Sequence, residues 1–571
     1  MRPGVLSIAQ WFFGPGPREG PGHLWARWLF LRSLGLVFFS AFYSLAFQIR
    51  GLIGPEGILP AGEYLKRLAE NSGHMAYWLA PTLLWLNSGP VALQVLCWSG
   101  LVASILLALN LWPRAAVAVC LVAFLSFVSA AQDFSSYQSD GMLLAAGFLC
   151  LFFAPPGLRP GLGERQPPSR ASLFLLRWLW FRIYFESGLV KMLSGEPQWR
   201  DLTAMDHYYE NGPLPDWIGW YAQQLPHRFQ AGVALFTLVT ELGLVWMLFL
   251  PRRWRIVCFF IVTPFQIGII LTANLAFLNH FVLALGVLLL DDRFLRSVFA
   301  RPGLRATNQK QEIAGSKLEI QNAGSENRSS TIETRSAAPD FGPATPNSSA
   351  SPWSLITRRS SLLFSYVSLV ARHASLFLTA ICLSWISYVT TALLLLMLAP
   401  WLPLPSAPIE ALEPFRIANQ YGLFAVMTRA RYEIEFQGSR DGTAWVAYPF
   451  RYKPQDPREP PRLYAPYQPR FDWNLWFASL GHWRENMWVV RTETLLLKNS
   501  PSVLSLFAGN PFPGAPPREV RAVVWQYWFT DLTTKRATGL WWRRELRGLY
   551  APALEREPDG KVVVMEWPQT Q

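Results

Sequence analysis

The chain has 571 residues and a formal net charge of +13; 51% of its residues are hydrophobic and only 16% are charged. Soluble globular proteins carry about 25% charged residues, so this composition excludes a disordered chain, collagen, a coiled coil and a small disulfide scaffold, and it argues against a soluble enzyme. The positive charge requires no nucleic-acid partner, because the basic cytoplasmic loops of a membrane protein account for it.

The chain begins with a polar lead, residues 1–25, that lacks the apolar core and the small-residue cleavage site of a signal peptide. Residues 26–300 then form a predicted multi-span helical membrane domain, since a spanning helix needs about 20 mostly apolar residues. The apolar runs that meet or approach this length lie near 26–48, 90–112, 115–131, 141–155, 172–193, 231–250, 255–273 and 276–290.

Beyond this domain the composition changes twice. Residues 301–352 are rich in Ser, Asn and Thr and have no apolar periodicity, which predicts a disordered linker. Residues 353–404 contain one more apolar run, near 375–400, and predict a last membrane span with its flanks. We therefore expect about nine spans, followed by a soluble domain over residues 405–571.

The loop charges predict how these spans are oriented. Basic residues cluster after the fourth and sixth spans, and Arg114 lies between the second and third, whereas the loops between the third and fourth and between the fifth and sixth spans are acidic. The positive-inside rule then places the N-terminus and the linker in the cytoplasm. The ninth span carries residues 405–571 to the exoplasmic side.

The soluble domain is predicted to be β-rich. Apolar and charged side chains alternate over residues 431–436, a turn follows at 439–442, and residues 520–529 are β-branched and aromatic. Short strands separated by such turns indicate a sandwich-like or barrel fold. A helical segment near 473–480 interrupts the pattern.

Ionisable residues inside the membrane are the first candidates for chemistry. The fifth span carries Arg177, Arg182, Glu186 and Lys191. Charges at this depth are costly and usually face the interior of the bundle. Arg182 and Glu186 are spaced i,i+4 and can pair on one helical face. Lys191 lies on roughly the opposite side of the helix. Three interpretations are open for it: a snorkelling residue, a structural ion-pair partner or a catalytic base.

Further polar residues lie in the sixth and eighth spans. Glu241 has the arginines of span five as its nearest candidate partners, and Asn279 and His280 can form a polar contact within the bundle. No metal site and no cofactor are predicted, because the five cysteines lie in apolar runs without metal-ligand spacing and no nucleotide-binding motif occurs.

The loop after the fifth span is unusually rich in polar and aromatic residues. It predicts a lid or a docking surface at the membrane face, with an interfacial aromatic belt as the alternative. The candidate binding residues in this loop are Trp199, Arg200, Asp201, Asp206, His207, Tyr208 and Tyr209.

This region resembles the lipase maturation factor family. The resemblance is carried by the motifs at 188–191, 199–204 and 213–215. It extends over most of the chain through further motifs at 30–32, 51–60, 81–86, 274–279, 291–292, 419–424, 451–454, 465–477, 510–512 and 541–544.

The resemblance implies a chaperone-like membrane protein that helps secreted lipases or other exported proteins to fold, rather than an enzyme. It implies that the C-terminal domain engages the client, and Trp473 and Trp476 join the loop residues as exposed client-binding candidates. The expected partners are membrane lipid and a lipase-like client. The family implies the endoplasmic reticulum membrane, whereas the lack of cysteine in residues 405–571 favours a bacterial inner membrane.

A second resemblance leaves a different function open. Residues 184–185 and 188–191, followed by Trp199, are similar to a helix and loop of vitamin K-dependent γ-carboxylase, in which the residue that matches Lys191 is the catalytic base. The preceding span departs from that family, because it begins Gln138-Ser139-Asp140 where an Asn-His pair is expected. The alternative function is thus a γ-carboxylase-like membrane enzyme.

Overall fold

The computed structural model describes residues 3–16, 22–299 and 352–569. The predicted linker 301–352 lies outside the described residues except for its last position. The helices of the first part are α1 Pro3–Phe13, α2 Leu24–Ile53, α3 Ala61–Ser72, α4 Ala76–Leu79, α5 Pro90–Ala108, α6 Pro113–Val128, α7 Gln138–Phe153, α8 Arg170–Leu193, α9 Pro197–Arg200, α10 Met205–Asn211, α11 Trp217–Gln223, α12 His227–Leu242, α13 Arg252–Thr272, α14 Leu278–Gly286 and α15 Asp292–Phe299.

The second part begins with the longest helix and continues into a sheet. Its helices are α16 Pro352–Leu398, α17 Ala407–Glu410, α18 Arg470–Ala478, α19 Met487–Leu497, α20 Pro501–Leu504 and α21 Leu532–Thr538. Its strands are β1 Arg431–Ser439, β2 Trp445–Ala447, β3 Glu519–Phe529, β4 Trp542–Leu549, β5 Ala553–Arg556 and β6 Val562–Glu566.

Every apolar run that the sequence marks as a span coincides with a helix. Among the described residues, five helical segments are long and apolar enough to cross a membrane: 24–53, 90–108, 227–249, 252–272 and 373–398. Three shorter apolar segments are 113–128, 138–153 and 278–289. The remaining predicted span, the fifth, is α8, which is long enough to cross a membrane but carries Arg177, Arg182, Glu186 and Lys191. The prediction of a polytopic helical membrane protein is confirmed at this level.

Small residues let the central helices approach closely. A Cβ atom on Gly35 of α2 would lie 2.7 Å from the backbone nitrogen of Ala108 on α5. A Cβ atom on Gly100 of α5 would lie 2.3 Å from the Phe42 ring on α2. Close approach of this kind is the usual basis of helix association in lipid, where the hydrophobic effect between helices is absent.

The loops at one end of the bundle bind one another. The backbone N–H of Trp112, between α5 and α6, donates to the carbonyl of Leu158, between α7 and α8, over 2.9 Å. Arg252 at the start of α13 forms an ion pair with Asp291, which follows α14. The next residue, Asp292, accepts hydrogen bonds from the first two backbone N–H groups of α2 over 2.9 and 2.8 Å. The connections α5–α6, α7–α8, α12–α13 and the chain after α14 therefore share one end.

The C-terminal sheet is antiparallel and has the strand order β2-β1-β3-β5-β6, with β4 also paired to β3. Its central pair is in register at Ile434 opposite Val524. The expected two-sheet sandwich is not found among the described residues, whose strands form this single six-stranded sheet. Helices α18 and α19 take the place of a second sheet, because Phe471 of α18 stacks on Phe436 of β1 at 6.4 Å and α19 packs on β3.

Candidate functional site

Charged side chains of α8 form hydrogen bonds with an irregular segment between α16 and β1. Arg182 and Glu186 pair as their spacing predicts, with Nε and Oε1 2.5 Å apart and both side chains at most 1% exposed. Arg182 Nη2 also donates to the carbonyl of Asn419 over 2.6 Å. Glu186 Oε2 accepts from the backbone N–H of Tyr421 over 2.8 Å. The buried pair thus forms hydrogen bonds with backbone groups of residues 419–425, which we call the connecting segment.

Lys191 is the second anchor of this segment. Its ammonium lies 2.8 Å from Glu241 Oε2 on α12 and 2.9 Å from the carbonyl of Leu423. The expectation that Glu241 pairs with the arginines of span five is therefore wrong, because Arg182 is used by Glu186 and Arg177 donates to the carbonyl of Leu288 at the other end. Snorkelling is also excluded, since the Lys191 side chain is only 2% exposed and points between helices.

Trp199, in the loop after α8, contacts both Lys191 and the connecting segment. Its indole N–H donates to the carbonyl of Phe424 over 2.9 Å, and Lys191 Nζ lies 5.0 Å from its ring centroid. The ring of Tyr208 contacts the ring of Phe424 at 5.6 Å between centroids. Two signatures that are far apart in sequence, the loop after α8 and the connecting segment, are therefore in direct contact.

A second buried ion pair joins the bundle to the C-terminal domain. Arg470 of α18 makes two bonds to Asp140 of α7, over 2.7 and 2.8 Å, and both side chains are fully buried. Arg470 also donates to the carbonyl of Phe134 over 2.8 Å, and its guanidinium lies over the rings of Phe127 and Tyr137. Sequence reasoning missed this pair; the available signals were Asp140 at a span end and the arginine that closes the motif at 465–470.

The loop between α8 and α12 adjoins the sheet. The Glu210 carboxylate accepts the backbone N–H of Phe529 over 2.7 Å, and burial raises the pKa of this carboxyl group. The Trp220 indole donates to the carbonyl of Trp541 over 3.1 Å. Lys535 Nζ lies 3.5 Å from the centroid of the Trp541 ring. The loop and the C-terminal domain form one continuous surface.

The client-binding candidates divide into a buried and an exposed group. Trp199, Tyr209, Trp473 and Trp476 are at most 8% exposed, so the expectation that they are exposed is wrong. They are buried because they fill the junction between the bundle and the C-terminal domain: Trp473, for example, packs on Tyr137 at 5.0 Å.

The remaining candidates are accessible at the surface. Arg200 and Asp201 are exposed, and Asp206, His207 and Tyr208 are partly exposed. Arg200 donates to the carbonyl of Met192 over 2.6 Å, and Asp206 lies 2.9 Å from the His227 ring. The structure leaves these polar groups at the rim of the site.

A cavity of about 470 Å³ lies beside the Lys191–Glu241 pair, between α8, α12, α13, α14 and the loop after α8. Its wall also contains a polar chain in which Asn279 donates to Gln266 over 2.7 Å and Gln266 donates to the Tyr184 hydroxyl over 2.6 Å. The expected contact of Asn279 is thus made to α13. His280 is partly buried beside it and does not line the cavity. Within residues 3–16, 22–299 and 352–569, no cluster of three or more His, Cys, Asp or Glu side chains could hold a metal ion.

Two family models match the two halves of this architecture. The one described as lipase maturation factor transmembrane domain matches residues 25–297, and the one described as lipase maturation factor C-terminal domain matches residues 417–552. No protein of known structure matches the chain.

Full-length relatives show the same similarity. Lipase maturation factor 1 of Bos taurus is 32% identical over 97% of this chain and 94% of its own length. Lipase maturation factor 1 of Homo sapiens is 30% identical over 95% of this chain and 91% of its own. Lipase maturation factor 2 of Homo sapiens is 32% identical over 91% of this chain and 81% of its own length. These matches cover the bundle, the connecting segment and the sheet, and the chain belongs to the lipase maturation factor family.

Proposed function

We propose that this protein is a membrane-embedded maturation factor that assists the folding or assembly of secreted lipases. The observation that carries the proposal is the whole-chain similarity to lipase maturation factors 1 and 2, which spans both matched domains. The comparisons give the γ-carboxylase alternative no support. The geometry agrees, because Lys191 is held by Glu241 and the Leu423 carbonyl, and a paired ammonium is a poor base.

The client surface that we propose is the exposed rim where the loop between α8 and α12 meets the sheet. Trp217 and Tyr221 of α11 are 47% and 43% exposed, although their neighbour Trp220 is fully buried. Lys535 of α21 bonds to the Tyr221 hydroxyl over 3.2 Å and adds a positive charge. Exposed aromatic side chains on a rigid base are typical anchors for a protein partner. Arg200, Asp201, Asp206, His207 and Tyr208 extend this rim.

The domain boundaries and the topology belong to the same proposal. We place the lead at 1–25, the membrane domain at 26–300, the linker at 301–352, the last span with its flanks at 353–404 and the client-engaging domain at 405–571. The count of nine spans is supported by the loop contacts, because the connections α2–α5, α6–α7, α8–α12 and α13–α14 all touch residues 405–571. The exoplasmic C-terminal domain follows from the basic residues at the opposite end.

The compartment is proposed in two forms. In a eukaryotic cell the protein would lie in the endoplasmic reticulum membrane, and in a bacterium in the inner membrane. In either case the partners are membrane lipid and an exported, lipase-like client. No cofactor is needed for this work, because a chaperone acts by binding partly folded clients rather than by turnover.

Co-expression with a secreted lipase tests the proposal. Cells would produce the lipase with the full chain, with a chain lacking residues 405–571, or with the double variant Trp217→Ser/Tyr221→Ser. We expect the full chain to raise the ratio of secreted lipase activity to lipase transcript and both altered chains to lose that gain. Trp567→Ser is the matched control, since Trp567 is 59% exposed and lies at the far edge of the sheet. Equal secreted activity with and without the full chain would refute the function.

A further inference from the structure

The cavity beside the Lys191–Glu241 pair is large for a protein interior. Packed cores contain few voids larger than a water molecule, whereas small-molecule sites measure about 300–1,000 Å³. The 470 Å³ of this cavity fall within the second range. Most of its wall is apolar and includes Ile183, Phe229, Val233, Phe236, Ile269 and Leu278.

The cavity opens sideways between α12 and α13. Its exposed lining residues are on or beside these helices, and include Phe229 and Phe236, which are 50% and 42% exposed, and Gly268. The lining residues of α8 and α14 are buried or partly buried. Both α12 and α13 belong to segments long and apolar enough to cross a membrane. Between two membrane-spanning helices the surrounding solvent is hydrocarbon, so lipid chains can enter from this side.

The charged groups that line the cavity lie at one of its ends. Along α13 the lining runs from Ile261 to Thr272, which at about 1.5 Å per residue is a length of about 16 Å. The Thr272 end adjoins the loop that contains α11, because a Cβ atom on Gly219 would lie 2.6 Å from the Thr272 carbonyl. Tyr208, Tyr209 and the ion pair line the wall as well. The charges of that pair compensate each other, which suits a neutral ester or hydroxyl group better than a carboxylate.

We propose that this cavity is a lipid site that takes one long acyl chain, with its ester or hydroxyl end beside Tyr208 and the Lys191–Glu241 pair and its tail between α12 and α13. The chain enters from the bilayer between α12 and α13 beside Gly268, where the space at the Cβ position is open. Because Leu423 and Phe424 also line the cavity, the bound chain touches the connecting segment and thereby stabilises the junction with the C-terminal domain. The acyl chain can come from a bilayer phospholipid or from a neutral monoacylglycerol, since both carry an ester group.

Photocrosslinking of the full-length protein in phosphatidylcholine nanodiscs tests the site. One arm uses a phosphatidylcholine with a diazirine on one acyl chain, and the other uses a monoacylglycerol with the same group. We expect labelling of the inward residues Val233 and Ile269 above that of the outward residues Val239 and Leu271. Stronger inward labelling by the first probe identifies a bilayer phospholipid, and stronger inward labelling by the second identifies a monoacylglycerol.

Two glycine variants provide the matched pair. Gly268→Trp places a ring in the cavity and should reduce inward labelling to the outward level, since Gly268 lines the cavity and has open space at its Cβ position. Gly232→Trp should leave labelling unchanged, because Gly232 is equally open but lies outside the cavity. Should Gly268→Trp not fold, Val233→Trp and the lipids that copurify with the wild type, measured by mass spectrometry, replace it. Equal inward and outward labelling, or equal effects of both tryptophans, would overturn the proposal.

Discussion

Buried ionisable side chains of α8 hold the irregular backbone of the connecting segment in place. Glu186 accepts the N–H of Tyr421, and Lys191 donates to the carbonyl of Leu423. Each of these charges also faces an opposite charge, so no net charge is left in the low-dielectric interior. A buried pair of this kind adds little net stability over an apolar pair of the same volume, but removal of one partner is costly. The pairs therefore specify where the connecting segment lies.

Removal of Lys191 alone should damage the fold rather than a reaction. Lys191→Met leaves Glu241 buried and unpaired, which costs about 3–5 kcal/mol. We expect a lower thermal midpoint in detergent and a lower amount of folded protein. The double variant Lys191→Met/Glu241→Gln should recover most of the thermal midpoint and most of the folded protein. It should also support normal lipase maturation per folded molecule. A double variant that folds normally but supports no maturation would instead indicate a chemical role for the lysine.

Some of these side-chain pairs could be predicted from the sequence, and others could not. The pairing of Arg182 with Glu186 follows from their i,i+4 spacing on one helix. The pairing of Lys191 with Glu241 links two helices across fifty positions, and Asp140 with Arg470 links two domains across 330 positions. Such partners depend on helix rotation and domain docking, which no local period encodes. Burial of Trp199 and Trp473 escaped prediction for the same reason, since a tryptophan is equally suited to a junction and to an exposed interface.

At the scale of elements, a buried ion pair joins α7 of the bundle to α18 of the C-terminal domain. Within the part of the chain that the structure describes, two ion pairs cross between the bundle and the C-terminal domain, and they differ mainly in burial. Asp140–Arg470 is fully buried, whereas in Glu63–Arg491 the side chains are 52% and 38% exposed and 3.3 Å apart. Exposed pairs contribute about 0–1 kcal/mol because water screens them. The buried pair should therefore decide whether the two parts stay docked.

Matched arginine variants measure this difference. Arg470→Met should detach the C-terminal domain, because it leaves the Asp140 carboxylate without a partner, whereas Arg491→Met should change little. The measurement is copurification of residues 1–300 and 352–571 produced as separate chains in one cell. We expect copurification to be lost for Arg470→Met and kept for Arg491→Met, and Asp140→Leu added to Arg470→Met should restore part of it. Equal losses in the two single variants would contradict a dominant role for the buried pair.

At the scale of the whole molecule, the contacts divide the bundle into two ends. Alternate connections touch residues 405–571: the one after α2 through Glu63, the one after α6 through Phe134, the one after α8 through Glu210 and the one after α13 through Asn274. The other connections bind one another at the opposite end. This alternation requires that each of the eight helices between them runs from one end to the other. The apolar pattern predicted these helices and the loop charges predicted the alternation, and the contacts add which residues meet at each end.

This arrangement leads to a topology that reporters can measure. The end opposite the sheet carries Arg114, Arg159, Arg252 and Arg253, so the positive-inside rule predicts that this end is cytoplasmic. On that prediction, helix α16 crosses the membrane once more and leads the chain to the sheet. A reporter active only outside the cytoplasm should be active when fused after residue 571 and inactive when inserted near residue 320. The same reporter at position 161, between α7 and α8, is the cytoplasmic control. Identical signals at 320 and 571 would show that α16 does not cross, and would move the client-binding rim to the wrong side for a secreted lipase.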